Sequence, residues 1–331
     1  MCEAGKCGTA CGGPQLRPES GILNVDKPAG MTSHDVVNIV RKIAGTRRVG
    51  HAGTLDPLAT GVLLVCIGQA TRISEYLMHT PKTYRAEVQF GSATTTYDAE
   101  GEATDTFSTQ GLTQEALTIA LATFVGTIEQ RVPPYSAVKQ NGQPLYRRAR
   151  RGEEVETPAR AVEICRADLL AWEPPVATIE IECGPGTYIR SLAHDWGRAV
   201  NNGAHVKGLR RLASGSFGVE NAVALDRLRE AAADGCWERY LLPMDEGLLH
   251  MEAVLVGAKD AEALRRGQSI ENRASEDGQL ARAYTLSGDF LALIRYNAGA
   301  GRWTPHKVFA GNEPAGDDQT PACGKCGNAA D

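Results

Sequence analysis

The chain has 331 residues, 42% of them hydrophobic and 23% charged, with a formal net charge of −5. At ~150 residues per domain this length suggests two domains, and the apolar share suffices for a sizeable core, which excludes a disordered or fibrous protein. The negative balance excludes a chain that is basic throughout, so any nucleic-acid binding has to come from a localised basic surface.

Residues 1–16 are rich in Cys and Gly and carry no apolar run, so no secretory signal is expected. Ile22–Val25 reads as a short strand that ends in the turn Asp26-Lys-Pro-Ala-Gly30. Thr32 or Ser33 can cap a helix whose apolar positions Val36, Val37, Val40 and Ile43 keep helical spacing, and Gly45 ends it. Val62–Ile67 reads as a strand buried on both faces, and is far too short to span a bilayer. From Tyr84 to Phe90 the residues alternate, with Tyr84, Ala86, Val88 and Phe90 on one face. A helix after Thr113 buries Leu117, Ala120, Leu121 and Phe124.

Lys139–Arg151 carries five positive charges and no acid. Ala177, Ile179, Ile181 and Cys183 mark another alternating strand, which runs through Gly184-Pro-Gly-Thr187 into a helix with Ile189, Leu192, Ala193 and Trp196 on one face. Arg190 therefore falls in the first helical turn. Near Met251 the composition shifts to a small second unit, with a helix ending in Leu264-Arg-Arg-Gly267 and strands at Ala281–Leu286 and Phe290–Tyr296. From Gly311 the chain is rich in Gly, Asp, Pro and Asn and reads as a flexible tail. Strands and helices mix without regular βαβ alternation. The expected class is α+β, a mixed, mostly antiparallel central sheet with flanking helices, plus a small β-barrel domain.

Of the nine cysteines, Cys66, Cys165 and Cys183 lie in apolar, strand-like runs where a thiol acts as a small hydrophobe, and Cys236 stands alone. An odd total without a secretion signal points to reduced thiols and a cytoplasmic protein. The tails hold Cys2, Cys7, Cys11, Cys323 and Cys326. Cys7 and Cys11 with Cys323 and Cys326 could form a four-cysteine structural zinc site tying the two ends together.

No phosphate-binding Gly-rich loop, dinucleotide fingerprint or His-Glu-x-x-His motif occurs, so an enzyme here is expected to work without a cofactor. The loop His51-Ala-Gly-Thr-Leu-Asp-Pro-Leu-Ala-Thr-Gly61 is the strongest candidate site. Glycines frame it and Pro57 restrains the chain directly after Asp56, which suits a positioned nucleophilic carboxylate, although an isolated Asp-Pro is also an ordinary turn.

Gly50–Gly61 resembles the nucleophile motif of the TruB family of tRNA pseudouridine synthases. Matching segments follow in family order: Val25–Ser33, Lys82–Tyr84, Phe90–Gly101, Val132–Lys139, Gly186–Ser191 and His205–Arg211. The resemblance spans about Gly21 to Asp245. Leu264–Gln268 and Pro305–Phe309 resemble, more weakly, a PUA RNA-binding domain. The domain plan is then a tail at 1–16, a catalytic domain at 17–250 with an RNA-closing insertion at about 132–155, a PUA-like domain at 251–311, and a tail at 312–331.

The resemblance implies isomerisation of a uridine in the tRNA T-loop, U55, by base flipping. It casts Asp56 as the nucleophile, attacking ribose C1′ or base C6, and Arg190 as the cation that keeps it ionised. Tyr84 would stack on the uracil and take part in C5 proton transfer, Leu209 would line the pocket, and His51 would support the flipped nucleotide. Tyr188, Lys139, Arg147 and Arg148 are candidate substrate contacts, Asp26 and Lys27 are either substrate contacts or structural turn residues, and Arg210 and Arg211 are less distinct contacts. A stand-alone monomer is expected to act on the T-arm without protein partner or membrane. Two alternatives are a guide-RNA-dependent synthase subunit and a non-catalytic tRNA-folding chaperone.

Overall fold

The computed structural model describes residues 20–136, 139–140, 143–144, 151 and 157–309. The terminal cysteines Cys2, Cys7, Cys11, Cys323 and Cys326, together with Arg147 and Arg148, lie outside the described residues, and Lys139 is described in its backbone alone. The chain divides into two units after Leu248.

The first unit opens with β1 (Gly21–Lys27), followed by helix α1 (Ser33–Ile43). Thr32 caps α1 in a reciprocal box with Asp35, and the apolar stripe Val36, Val37 and Val40 is buried. β2 (Val49–His51) and β3 (Thr60–Ile67) bracket the Asp56 loop, and β3 is buried from Gly61 to Ile67. The short helix α2 (Ser74–Met78) leads to β4 (Lys82–Phe90), whose buried Ala86, Val88 and Phe90 follow the expected alternation. A small hairpin, β5 (Ser92–Thr94) and β6 (Ala103–Thr106), carries the loop around Asp98. Helix α3 (Gln114–Ala122) buries Leu117 and Leu121 and stops before Phe124, which is only half-buried.

Next come β7 (Gly126–Arg131), the two-residue strands β8 (Lys139–Gln140) and β9 (Gln143–Pro144), and the long β10 (Ala159–Glu173). Of β10 the sequence marks only the short strand-like run around Cys165. Two register shifts against its neighbour break the period of two, so only Val162 and Ile164 are buried. Cys165 follows the buried Ile164 onto the opposite face of the strand and is exposed, which corrects its expected place in the core. β11 (Val176–Cys183) then leads into helix α4 (Ile189–Ala199). β12 (Ala204–Ser214), β13 (Phe217–Gly218), β14 (Val223–Ala224), helix α5 (Leu225–Ala233) and β15 (Leu241–Leu242) complete the unit.

Among the described residues eleven strands form one mixed sheet with the main order β14-β1-β3-β12-β4-β11-β10-β7. β1–β14 and β3–β12 pair in parallel and the other pairs are antiparallel. Crossing from β3 to β12 needs a close backbone approach. Gly61 supplies it with φ +97°, since a Cβ there would sit 2.1 Å from the Arg211 carbonyl oxygen.

One core lies between the sheet and α1 and α5; a second holds Phe90, Leu117, Ile179, Leu192 and Trp196. Trp196 is fully buried, donates from its indole nitrogen to Leu117 O at 3.1 Å and meets Phe90 edge-on. Removing such an aromatic typically costs ~3–5 kcal/mol, so this contact is a major anchor of the helix that carries Arg190.

The second unit holds β16 (Glu252–Val256), helix α6 (Ala258–Arg265), β17 (Leu280–Thr285), β18 (Phe290–Asn297) and β19 (Arg302–Val308). Its sheet runs β16-β17-β18-β19, parallel in the first pair and antiparallel after it. Gly267, at φ +76°, ends the turn after α6, and Leu264, Ile270, Tyr296 and Trp303 fill the core.

Candidate active site

The loop from Ala52 to Ala59 is tied down on both sides of Asp56. Before it, the Ser33 hydroxyl donates to Leu55 O at 3.0 Å and accepts from Leu55 N at 2.8 Å. After it, Pro57 O accepts from Gly30 N at 2.9 Å and from the Lys27 ammonium at 3.3 Å. Ala59 N donates to Asp56 O at 3.1 Å and closes the turn. The carboxylate is thus held by backbone rather than by a flexible tip.

Lys27 takes the structural turn role, not the substrate contact. Its side chain is fully buried, and the ammonium also donates to Pro28 O and Met31 O at 2.9 and 2.6 Å. Three carbonyls use all three donors, so Lys27 ties the loop together and has nothing left for RNA. Burial pushes its pKa down to about 8, opposed by the nearby Asp56 charge. Lys27→Met is expected to leave RNA affinity within about threefold of wild type while lowering the thermal midpoint, because buried carbonyls left unpaired cost ~1–3 kcal/mol each. Fluorimetry and a filter-binding titration separate the two effects.

Arg190 reaches the loop from the first turn of α4. Its Nε stands 2.9 Å from Asp56 Oδ2, an electrostatic contact outside hydrogen-bond alignment, while Nη2 donates to Asp56 Oδ1 at 3.3 Å. Nη1 donates to Thr96 O at 3.1 Å and pairs with Asp98 Oδ2 at 3.2 Å, and Nη2 also donates to Tyr135 O at 2.9 Å. A cation at a helix N-terminus is disfavoured by the helix dipole. Here two carboxylates offset that cost. One guanidinium shared between them leaves the cluster with net negative charge.

Arg190 favours the ionised form of Asp56 but is not the only influence on it. Burial lifts the carboxyl above its ordinary range, Arg190 pulls it back in part, and Asp98 adds to the rise. The acid limb of the pH–rate profile is expected above the ordinary carboxylate value of ~4. In Asp98→Asn the carbonyl oxygen remains but the charge is gone, so that limb should move to lower pH. The plateau rate should drop by about tenfold as Arg190 turns more fully onto Asp56 and stabilises its ground state. An unmoved limb in a stopped-time pH series would contradict this coupling.

Asp56, Tyr84, Tyr188, Arg190 and Leu209 line one open cavity of about 380 Å³, a volume within the usual range of small-ligand sites. Leu55, Met78, Lys82, Arg160, Cys183 and Arg211 complete much of its wall. Burial raises the Tyr84 hydroxyl above its ordinary range, opposed by Arg211, whose Nη1 is 3.5 Å from that oxygen. Arg160 lies over the Tyr188 ring at 4.7 Å and donates to Gly186 O. His51 does not line this cavity. It ends β2, and burial followed by the Arg211 charge lowers its pKa, which favours a neutral ring.

Arg211 is not an exposed RNA contact either. It is 1% exposed and donates to Val62 O at 2.6 Å and Gly53 O at 3.1 Å, bracing the Asp56 loop from below. Arg210 is paired with Asp26 at 2.8 Å, so those two candidates engage each other. Asp98, Lys82 and Arg160 were not singled out from the sequence. Asp98 and Lys82 fall in matched segments, but nothing local marks a turn aspartate as buried; Arg160 sits in an unremarked polar run.

Comparison with known proteins places these features in a family context. Residues 41–189 match the model described as TruB family pseudouridylate synthase, N-terminal domain, and residues 190–249 match the tRNA pseudouridylate synthase B C-terminal domain. The chain is 42% identical to the tRNA pseudouridine synthase B of Dehalococcoides mccartyi strain CBDB1, over 90% of this chain and 99% of the relative. It is also 42% identical to the protein of that name from Pseudomonas aeruginosa, over 84% of this chain and 92% of that one. Among solved structures, a chain in an H/ACA RNP bound to a substrate RNA containing 2′-deoxyuridine shares the fold, with TM-score 0.68, 24% identity and 89% and 86% coverage of the two chains. A chain in a Cbf5-Nop10-Gar1 complex matches with TM-score 0.66 and 27% identity, covering 86% and 80%.

Proposed function

The chain belongs to the TruB family of pseudouridine synthases, and we infer that it isomerises a uridine of the tRNA T-loop, U55, with Asp56 as the nucleophile. The observation that carries this reading is the Asp56 carboxylate fixed against Arg190 in a cavity walled by Tyr84 and Leu209. The reaction breaks the bond from N1 to ribose C1′, turns the uracil and rejoins it through C5. C5 gives up a proton and N1 gains one, so nothing is oxidised and no cofactor is needed.

A base stacked in a folded loop has to leave its stack before its glycosidic bond can be reached. The cavity receives the flipped nucleotide, with the Tyr84 ring as the stacking face and Leu209 as an apolar wall. Tyr84 takes the C5 proton, and the Arg211 guanidinium beside its oxygen is placed to favour the phenolate that chemistry requires. His51, as a neutral ring outside the cavity, supports the RNA around the vacated base position. Tyr188 and Arg160 flank the target nucleotide, and Lys139, Arg147 and Arg148 contact phosphates, which positions the RNA without reading its sequence.

The second unit serves as a PUA-type RNA-binding module, with Arg265 as the last residue of its helix and Arg266 as the C-cap, as in the motif that suggested it. The enzyme works as a monomer on the T-arm without a guide RNA or protein partner. Among the described residues no helix is long and apolar enough to cross a membrane, and we place the protein in the cytoplasm with its tRNA.

The test uses T-loop RNA tritiated at uracil C5. The purified chain alone should release label stoichiometrically with pseudouridine. Release only with an added guide RNA would favour the guide-dependent reading, and tight binding without release would favour the chaperone.

A further inference from the structure

β7 buries a single side chain, and it is an amide. Gln130 is 1% exposed in a strand otherwise exposed or half-buried. Buried polar groups persist only when satisfied, and both polar atoms of this one go to the same residue. Nε2 donates to Tyr188 O at 3.0 Å, and Oε1 accepts from Tyr188 N at 2.8 Å. Tyr188 is the N-cap of α4, and no side chain of its own caps that helix. The peptide that starts α4 is therefore gripped from outside, as a neighbouring strand would grip it.

Two more contacts come from the same stretch of chain. The Ser191 hydroxyl donates to Arg131 O at 2.8 Å, and Arg190 Nη2 donates to Tyr135 O at 2.9 Å. Residues 130–135 thus cradle residues 188–191, and Arg190 sits within the cradled turn. We propose that Gln130 is a positioning residue for the reaction, fixing the Tyr188 peptide and so setting the reach of Arg190 to Asp56. The inference rests on the reading of Asp56 and Arg190 as the catalytic pair. Contacts of 2.9 and 3.3 Å leave little slack, and a shift of ~1 Å in such a group can cost ~10²-fold in rate.

The test is a double-mutant cycle read as single-turnover tritium release, with RNA affinity measured separately in an Asp56→Asn background. Gln130→Leu removes both hydrogen bonds at similar volume and should slow release by about 30- to 100-fold, with affinity held within about threefold. In an Arg190→Lys background, where the guanidinium is already gone, the same change should cost less than about threefold. A single-mutant rate within about twofold of wild type would overturn the proposal. So would an undiminished cost in the Arg190→Lys background, since a purely structural role multiplies through both backgrounds.

Should Gln130→Leu fail to fold, Gln130→Asn keeps a neutral amide one methylene shorter and so weakens both contacts with Tyr188 without removing either polar group. It should show the same dependence on Arg190 with a smaller cost of about tenfold. Wild-type protein that releases no tritium would instead remove the reading beneath the proposal, an outcome distinct from a failed cycle.

Discussion

Asp56→Asn is expected to abolish C5 tritium release, by a factor of ~10⁴ or more, while T-arm RNA binding stays within about threefold of wild type. Asparagine keeps the volume and one carbonyl oxygen, but its amide is not a nucleophile at neutral pH. The surroundings should hold, because Arg190 retains Asp98, Thr96 O and Tyr135 O when Asp56 loses its charge. Stability gives a second readout with a definite sign. The folded pKa of Asp56 lies above its unfolded value, so the folded state binds the proton more tightly, and stability falls as pH rises between those two values. At neutral pH the ionised carboxylate is a net cost to the fold. The Asn variant should melt at the same or a higher temperature than wild type. Residual release near the wild-type rate would sink the nucleophile assignment, and a large fall in melting temperature would contradict the electrostatic account.

That combination, a group costly to the fold and needed for the chemistry, is the usual signature of a functional site. It also explains the density of ties around the loop. Ser33, Gly30, Lys27 and Arg211 all bond its backbone, so β1, α1 and β12 together fix a carboxylate whose side chain is still 34% exposed.

What could be read from the sequence was what local pattern encodes. α1 announces itself through a capping residue and an apolar stripe, β3 through an unbroken apolar run, and β4 and β11 through clean alternation. Arg190 could be placed in the first turn of α4 because a glycine-rich turn separates a strand pattern from a helix pattern. Most of β10 beyond the run around Cys165 stayed hidden because its bulges change which face each residue takes, and β12 because Lys207, Arg210 and Arg211 make a central strand look like a surface one. The buried state of Arg211 depends on Val62 and Gly53, 149 and 158 positions away in the chain. Lys27 stayed ambiguous for the same reason. A lysine in a turn reads equally as a substrate contact or a structural residue until Pro57 O, 30 positions on, is seen to accept from it. The chemistry-bearing residues were legible by family pattern, whereas the residues that aim them were defined by tertiary partners.

Arg190→Lys is expected to lower the single-turnover rate by about 10²- to 10³-fold with little change in RNA affinity, although the positive charge is conserved. The guanidinium spreads its contacts over three nitrogens: Nε and Nη2 toward Asp56, Nη2 toward Tyr135 O, and Nη1 toward Thr96 O and Asp98. Lysine offers one nitrogen with three donors and cannot span those groups from one position. Asp98, with a side chain 4% exposed, is the more demanding partner, because leaving a buried carboxylate unpaired typically costs ~3–5 kcal/mol. The ammonium should therefore settle toward Asp98 and leave Asp56 less well aimed. Arg190→Met, which strands both carboxylates, should by the same argument fold poorly or not at all. A lysine variant within about tenfold of wild type would mean that charge near Asp56 is sufficient and that the fork geometry of Arg190 is not what the site requires.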